Sequence, residues 1–471
     1  MLTVFRFSIL VAVLSFISIL LDPRIHEPAG DLNTTVVILN WSRPFNVNKI
    51  VSEICKNLFD DVVHSVIIWN NNPKPMSFEN NFANASCPKS RVQIINSPDN
   101  LYFQARYMAC AQATTPFCFI QDDDYLILPE IVRAFVRRIG DNSASTSSIH
   151  LQPPHEMLSS ELRTVVINET LHTTFAWLGY GTIVKRSRVV EFISLLDHLN
   201  LLDEQHKMAD NYFTILSNEI PERWFDAGIE LGGGQAFTVG TEGEERNNRH
   251  IIEAAKILES IISAGDVAST SLPYVKVQPN SPLLPTISRA PCHGRLCVFE
   301  TSIKLIPDEV YDISVSSISD MLVLEKERLK ALGEQNATEY LNFAPSNAVD
   351  GIRDTVFRSA ENGKHGEYVI LDLTECHFYD RLQWVLEVGA HMGAILDRSV
   401  YESSEDGVNW HAWGKRADCS NALDDGLRTS RVMSCVISAE KIRVRYFRMR
   451  LLEDVEYKWE FHEVYLSPIQ E

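Results

Sequence analysis

From Thr34 onwards, short apolar runs alternate with amphipathic stretches, and this alternation limits the fold more than any other feature of the chain. Residues 35–40 (TVVILN), 63–69 (VHSVIIW), 92–95 and 117–121 (FCFIQ) read as buried strands. Continuous apolar runs of that length, bounded by turn residues, suit a strand covered on both faces. Between them, Val47, Ile50, Val51, Ile54 and Leu58 recur at helical spacing, and residues 101–113 read as a second helix. Such alternation implies right-handed crossovers and a mostly parallel sheet, whose ligands bind beyond the carboxyl ends of the strands. The polar residues at those ends are Asn40 to Arg43, Asn70 to Asn72, and Asp122, Asp123 and Asp124.

Past Ser260 the pattern changes. Pro273, Pro279, Pro282, Pro285 and Pro291 mark a linker or irregular wrap rather than a helix or a central strand. Beyond Leu332, helical periodicity gives way to short strand-like runs at 368–373, 382–388 and 442–447, separated by Asp, Gly and Asn turns. The 471 residues therefore divide into a targeting segment (1–28), an α/β region (29–265), a proline-rich connector (266–331) and an all-β region (332–471). The net charge of −19 excludes a protein that works by gripping nucleic-acid phosphates.

Residues 7–21 carry no charge and follow Arg6, which reads as an uncleaved signal-anchor or, alternatively, a signal peptide. Either one sends the rest of the chain into the secretory lumen. N-x-S/T sequons at Asn33, Asn40, Asn84, Asn168 and Asn336 agree, with Asn40 at a buried strand end. Nine cysteines leave at least one unpaired or shared between chains. Cys118, in an apolar run, is the expected free thiol. Cys292 with Cys297 is the best local pair, over a zinc reading of Cys292, His293 and Cys297 that lacks a second Cys/His pair.

Three adjacent aspartates after a buried strand are either a solvated turn or a divalent-metal and diphosphate site. Hard carboxylate oxygens suit Mg²⁺ or Mn²⁺, and a bound cation offsets the cost of grouping the charges. The ordered set TVVILNWSRP, VIIWNNN and NLYFQARYMACAQATTPFCFIQDDD resembles the nucleotide-sugar glycosyltransferases of the A-type fold. The closest likeness is to the exostosin-like family, with family 2 transferases more distant, and it covers residues 34–260. It implies a Rossmann-like α/β/α sandwich in which Asn40, Arg43 and Asn70 lie near the nucleotide sugar and Arg106 contacts it. Asp122, Asp123 and Asp124 would form the DxD element, Asp124 and Asp122 as metal ligands. Residues 175–185 (FAWLGYGTIVK) resemble the stretch that shapes the acceptor side.

Asp210 matches the catalytic carboxylate of the family, with Ala209 where a glutamate is usual; by itself it reads as a helix cap. His250 is expected as a metal ligand, with Arg246 and Arg249 as a phosphate clamp, or all three as a solvated helix start. The resemblance implies a Mn²⁺- or Mg²⁺-dependent enzyme moving a sugar from a UDP-sugar to a glycan or glycoprotein. It would be a single-pass type II protein of the Golgi or endoplasmic reticulum membrane, or secreted. Ala209 supports an alternative, a non-catalytic carbohydrate-binding or adhesion protein.

Residues from about 342 carry PSNAVDG (345–351), TVFRS (355–359), YVILDL (368–373), VYESSEDGVNW (400–410), RYFR (445–448) and WEFHEVYL (459–466). These resemble a discoidin or coagulation-factor C-type domain, a jelly-roll β-sandwich of the galactose-binding-like group. Phe357 stands where tryptophan is more usual, and Cys419 with Cys435 would replace the family's terminal disulfide. Asp350 matches a position that helps hold Ca²⁺ in some relatives, or simply starts a tight turn. Tyr368, Trp384 and Trp410 are expected in the core.

Overall fold

The computed structural model describes residues 33–83, 85, 87–141, 146–226, 228–233, 241–264, 272–277, 287–414, 416–421 and 432–468. Four strands, β1 (Thr34–Asn40), β2 (Val63–Asn70), β3 (Val92–Asn96) and β4 (Phe117–Asp122), lie parallel in the order β4-β1-β2-β3. Val36 and Ile38 enter one apolar cluster and Val37 enters another, as the period-two alternation of a strand requires. All three are fully buried, and each such side chain contributes about 1.5–3 kcal/mol. Helix α1 (Pro44–Asn57) starts on a proline, which costs nothing in the first turn, and buries Val47, Ile50, Val51 and Ile54. Helix α2 (Gln104–Gln112) buries Ala105, Tyr107 and Ala109, and with them the charged Arg106.

The sheet continues through β5 (Ser148–Gln152), β6 (Thr182–Lys185), antiparallel to both β4 and β5, and β7 (Glu222–Phe225), parallel to β5. Next come β8 (Ser288–Pro291) and β9 (Val298–Thr301), a hairpin closed by the Cys292–Cys297 disulfide. β8 joins β7 through the pair Trp224 and Arg289, while β9 runs antiparallel to the start of β10 (Tyr368–Gly389). β10 pairs with β11 (Val432–Leu451) and β12 (Lys458–Pro468). Among the described residues the result is a mixed α/β architecture on one large, mostly antiparallel sheet of sixteen strands.

The proline-rich stretch thus supplies a central strand where none was expected. β8 is short, and its proline stands last, at the hairpin turn, so the missing N–H interrupts no longer ladder. Ion pairs brace the same junction: Arg445 with Asp141 at 3.0 Å and Arg137 with Glu375 at 3.1 Å. Helix α5 (Met321–Asn342) also runs ten residues past the point where periodicity faded; Gly333, at φ 76°, kinks it and shifts the buried stripe.

Four disulfides form: Cys55–Cys87, Cys110–Cys118, Cys292–Cys297 and Cys419–Cys435. Cys118 is therefore not the free thiol. The end of α2 brings Cys110 to the start of β4, and the unpaired cysteine is Cys376. The zinc reading falls with the same bonds, since Cys292 and Cys297 bind each other. Asn40 is 2% exposed, which closes its sequon to a glycan. Residues 1–28, which carry the targeting segment, lie outside the described residues. Among the described residues no helix is long and apolar enough to cross a membrane, and nothing there supports the single-pass Golgi or endoplasmic reticulum placement or the membrane as a partner.

Candidate functional site

The carboxyl ends of β1, β2 and β4 open on a cavity of about 110 Å³ lined by Leu39, Trp41, Arg43, Asn71, Asn100, Tyr102, Phe103, Arg106, Asp122, Asp123 and Asp124. The strand register delivers these residues. Leu39 of β1 stands opposite Asp122 of β4 and opposite Trp69 of β2, so the polar residues emerge together.

Arg106 is 1% exposed and neutralises two carboxylates at once, donating to Asp122 and to Asp210, each at 2.7 Å. Tyr107 donates to the other oxygen of Asp210 at 2.9 Å. Asp210, at the start of helix α3 (Asp210–Ser217), is thus a buried anchor for Arg106. Burial raises the Asp210 carboxyl, against the opposing pull of Arg106 and Tyr107. Gly179 seals this arrangement: a Cβ there would stand 2.4 Å from Asp122 Oδ2, so only glycine permits the approach.

Asp123 faces the other way. It accepts from Arg43 at 2.7 Å and from the backbone N–H groups of Trp41 and Arg43 at 3.1 and 3.3 Å. Asp124 is the most open of the three, 3.6 Å from Arg43 with its side chain 30% exposed. Burial raises both the Asp122 and Asp124 carboxyls, Arg106 and Arg43 respectively pull them down, and the neighbouring aspartates add to the rise.

Asn40 and Asn70 do not line the cavity. They form an asparagine ladder across register-paired strand ends: Asn40 donates to Asn70 at 2.6 Å, and Asn70 to Asn96 at 2.9 Å. Helix α4 (Thr241–Ser263) distributes the three expected basic residues differently. Arg246 stacks 5.7 Å from the Tyr102 ring at the rim. Arg249 pairs with Glu204, and His250 packs between helices with Nδ1 2.8 Å from the Tyr212 hydroxyl, its pKa lowered by burial. The aromatic lining, Trp41, Tyr102 and Phe103, escaped the sequence reading. Its signal was present, in an aromatic pair one turn before Arg106 and a tryptophan between Asn40 and Arg43.

This geometry corrects the metal expectation. Among the described residues no group of three or more His, Cys, Asp and Glu side chains is placed to hold a metal ion. The aspartates diverge onto separate arginines, and His250 is held elsewhere. The same holds at Asp350, whose carboxylate accepts from Thr355 at 2.9 and 3.0 Å and from the Ile352 N–H at 2.8 Å. Mn²⁺, Mg²⁺ and Ca²⁺ are therefore withdrawn as cofactors. The metal-dependent transferase, its DxD element and its UDP-sugar and acceptor partners go with them.

No family model and no curated protein matches the chain. Solved structures match it in part. CBM32-1 from a family 31 glycoside hydrolase of Clostridium perfringens is 22% identical over 26% of this chain and 82% of that one, with a TM-score of 0.18. S. aureus TarS 1-349 is 12% identical over 51% and 74%, TM-score 0.31. The mannosyltransferase PcManGT from Pyrobaculum calidifontis, in complex with GDP-Man and Mn²⁺, is 12% identical over 55% and 86%, TM-score 0.30. These likenesses are weak and single out no one family.

Proposed function

We propose that the protein is a non-catalytic carbohydrate-binding protein whose strand-end cavity takes a neutral saccharide without a metal. One observation carries this reading: the acidic strand end is already paired with Arg43 and Arg106 inside a cavity walled by Trp41, Tyr102 and Phe103. Carboxylates and guanidiniums offer paired acceptors and donors to vicinal hydroxyls, and aromatic faces cover the C–H faces of a sugar ring. The finer fold reading belongs here too. Residues 29–265 would descend from an A-type, exostosin-like α/β/α sandwich that has lost turnover. Residues 332–471 would be a discoidin-like jelly roll, joined to it through 266–331. Arg43, Arg106, Asp122, Asp123 and Asp124 are the proposed binding residues, Arg246 a rim residue, and Asn40, Asn70 and Asp210 their supports.

Calorimetric titration with a panel of mono- and oligosaccharides in EDTA tests the reading. At least one neutral saccharide is expected to bind, and Trp41→Ala should weaken it by about tenfold, roughly 1.4 kcal/mol. Loss of binding in EDTA, or release of a nucleotide from any sugar nucleotide, would overturn it.

A further inference from the structure

The loop between Cys292 and Cys297 touches both halves of the molecule. The His293 imidazole meets Asp226, just after β7, at 3.0 Å, and the His293 N–H donates to the Val349 carbonyl at 2.9 Å. The Gly294 N–H donates to Glu130 on the helix Pro129–Gly140 at 2.6 Å. The Arg295 guanidinium lies 4.9 Å over the Tyr465 ring of β12 and donates to the Leu466 carbonyl.

Around this loop the carboxyl groups outnumber the cations. Asp226 and Glu130 approach from the parallel region, and Asp350, Glu463 and Glu387 from the β region, against His293, Arg295 and Arg353. Glu463 and Glu387 are register partners across β10 and β12, 7% and 5% exposed. Arg353 pairs with Glu387 at 3.1 Å, and the Tyr465 hydroxyl lies 3.5 Å from it. Among the described residues Glu463 Oε1 is buried without a hydrogen-bond partner, and burial together with the nearby Asp350 and Glu387 favours the protonated form of this carboxyl.

We propose that this junction is a pH-operated latch: the protonated imidazole of His293 holds Asp226 of the parallel region while the His293 backbone N–H holds Val349 of the β region, and loss of the imidazole proton as pH rises loosens the loop. The titration directions agree with the geometry. Burial opposes the His293 charge, but Asp226, Asp350 and Glu130 outweigh it, so its pKa lies above the ordinary 6.5. A cation with a raised folded-state pKa contributes fully below its unfolded value, and the contribution fades as pH climbs through the folded one. Burial, Asp350 and Glu387 push Glu463 up to about 8, and burial also raises Asp350. Raised carboxyls likewise favour the folded state at acid pH and lose that advantage through their folded pKa. All three groups therefore act in one direction, with the junction tighter in acid than in base.

Hydrogen exchange of the full chain between about pH 6 and pH 8.5, corrected for intrinsic exchange, reads the latch directly. Amides of residues 292–297 are expected to be severalfold more protected at the acid end, where the imidazole is charged. Amides of β1 and β4 should not change. In His293→Gln the acid protection should shrink severalfold. NMR titration of the wild-type imidazole is independent of any variant's folding, and it should give a midpoint above 6.5. Protection of 292–297 that is flat with pH, or an imidazole midpoint at or below the ordinary value, would overturn the latch.

Discussion

The strand-end cavity and the junction at the Cys292–Cys297 loop both gather carboxyl groups out of water, yet different cations hold them. In the cavity the partners are Arg43 and Arg106, which stay charged at every accessible pH. At the junction the group facing Asp226 is the imidazole of His293, while burial, Asp350 and Glu387 push Glu463 up to about 8. The first arrangement is built to persist, and the second to respond. A guanidinium also serves two carboxylates in fixed geometry, as Arg106 does for Asp122 and Asp210, whereas an imidazole makes one bond at a time to each nitrogen.

Arg106→Met should break the comparison most severely. It leaves Asp122 and Asp210 without their common cation, and Asp210 is 1% exposed, so a loss of about 3–5 kcal/mol is expected in urea unfolding at neutral pH. A loss below about 1 kcal/mol would mean that Asp210 finds water or takes up a proton cheaply. Glu463→Gln sharpens the contrast from the other side. Glutamine never ionises, so stability should match wild type near pH 5 and exceed it by about 1 kcal/mol near pH 8. Equal stability at both pH values would show that Glu463 titrates normally. Asp124→Asn should matter least to folding, within about 0.5 kcal/mol, because its contact with Arg43 is 3.6 Å long and partly solvated. The same change should weaken saccharide binding severalfold in the calorimetric assay.

Much of the α/β half was legible because its signals are local. Apolar runs at β1, β2, β3 and β4 and the helical spacing in α1 and α2 mark their elements directly. The position of Asp122, Asp123 and Asp124 at the carboxyl end of a strand was legible for the same reason. Their partners were not. Asp122 and Arg106 are sixteen residues apart and Asp210 lies a further eighty-eight on, so only the folded chain shows that one guanidinium serves both. A run of aspartates looks alike in sequence whether a metal or an arginine neutralises it. The asparagine ladder was hidden similarly: Asn40, Asn70 and Asn96 each read as a polar strand end until the register aligned them. The aromatic wall was hidden because Trp41 lies sixty-one residues before Tyr102, and only the fold brings the two segments to one cavity.

By itself, the sequence determined the strands β1 to β4 and the helices α1 and α2, and that acidic and basic groups would gather at one edge of a sheet. Hydrophobic periodicity acts within a few residues, so it can be read along the chain. The tertiary structure decided the rest: that a proline-bounded hairpin welds the two halves into one sheet, that arginines neutralise the aspartates, and that Cys118 pairs while Cys376 does not. Those outcomes depend on distances between residues far apart in the chain. Charge pairing, disulfide formation and proton sharing all fall off within a few ångströms, and only the folded chain sets those distances.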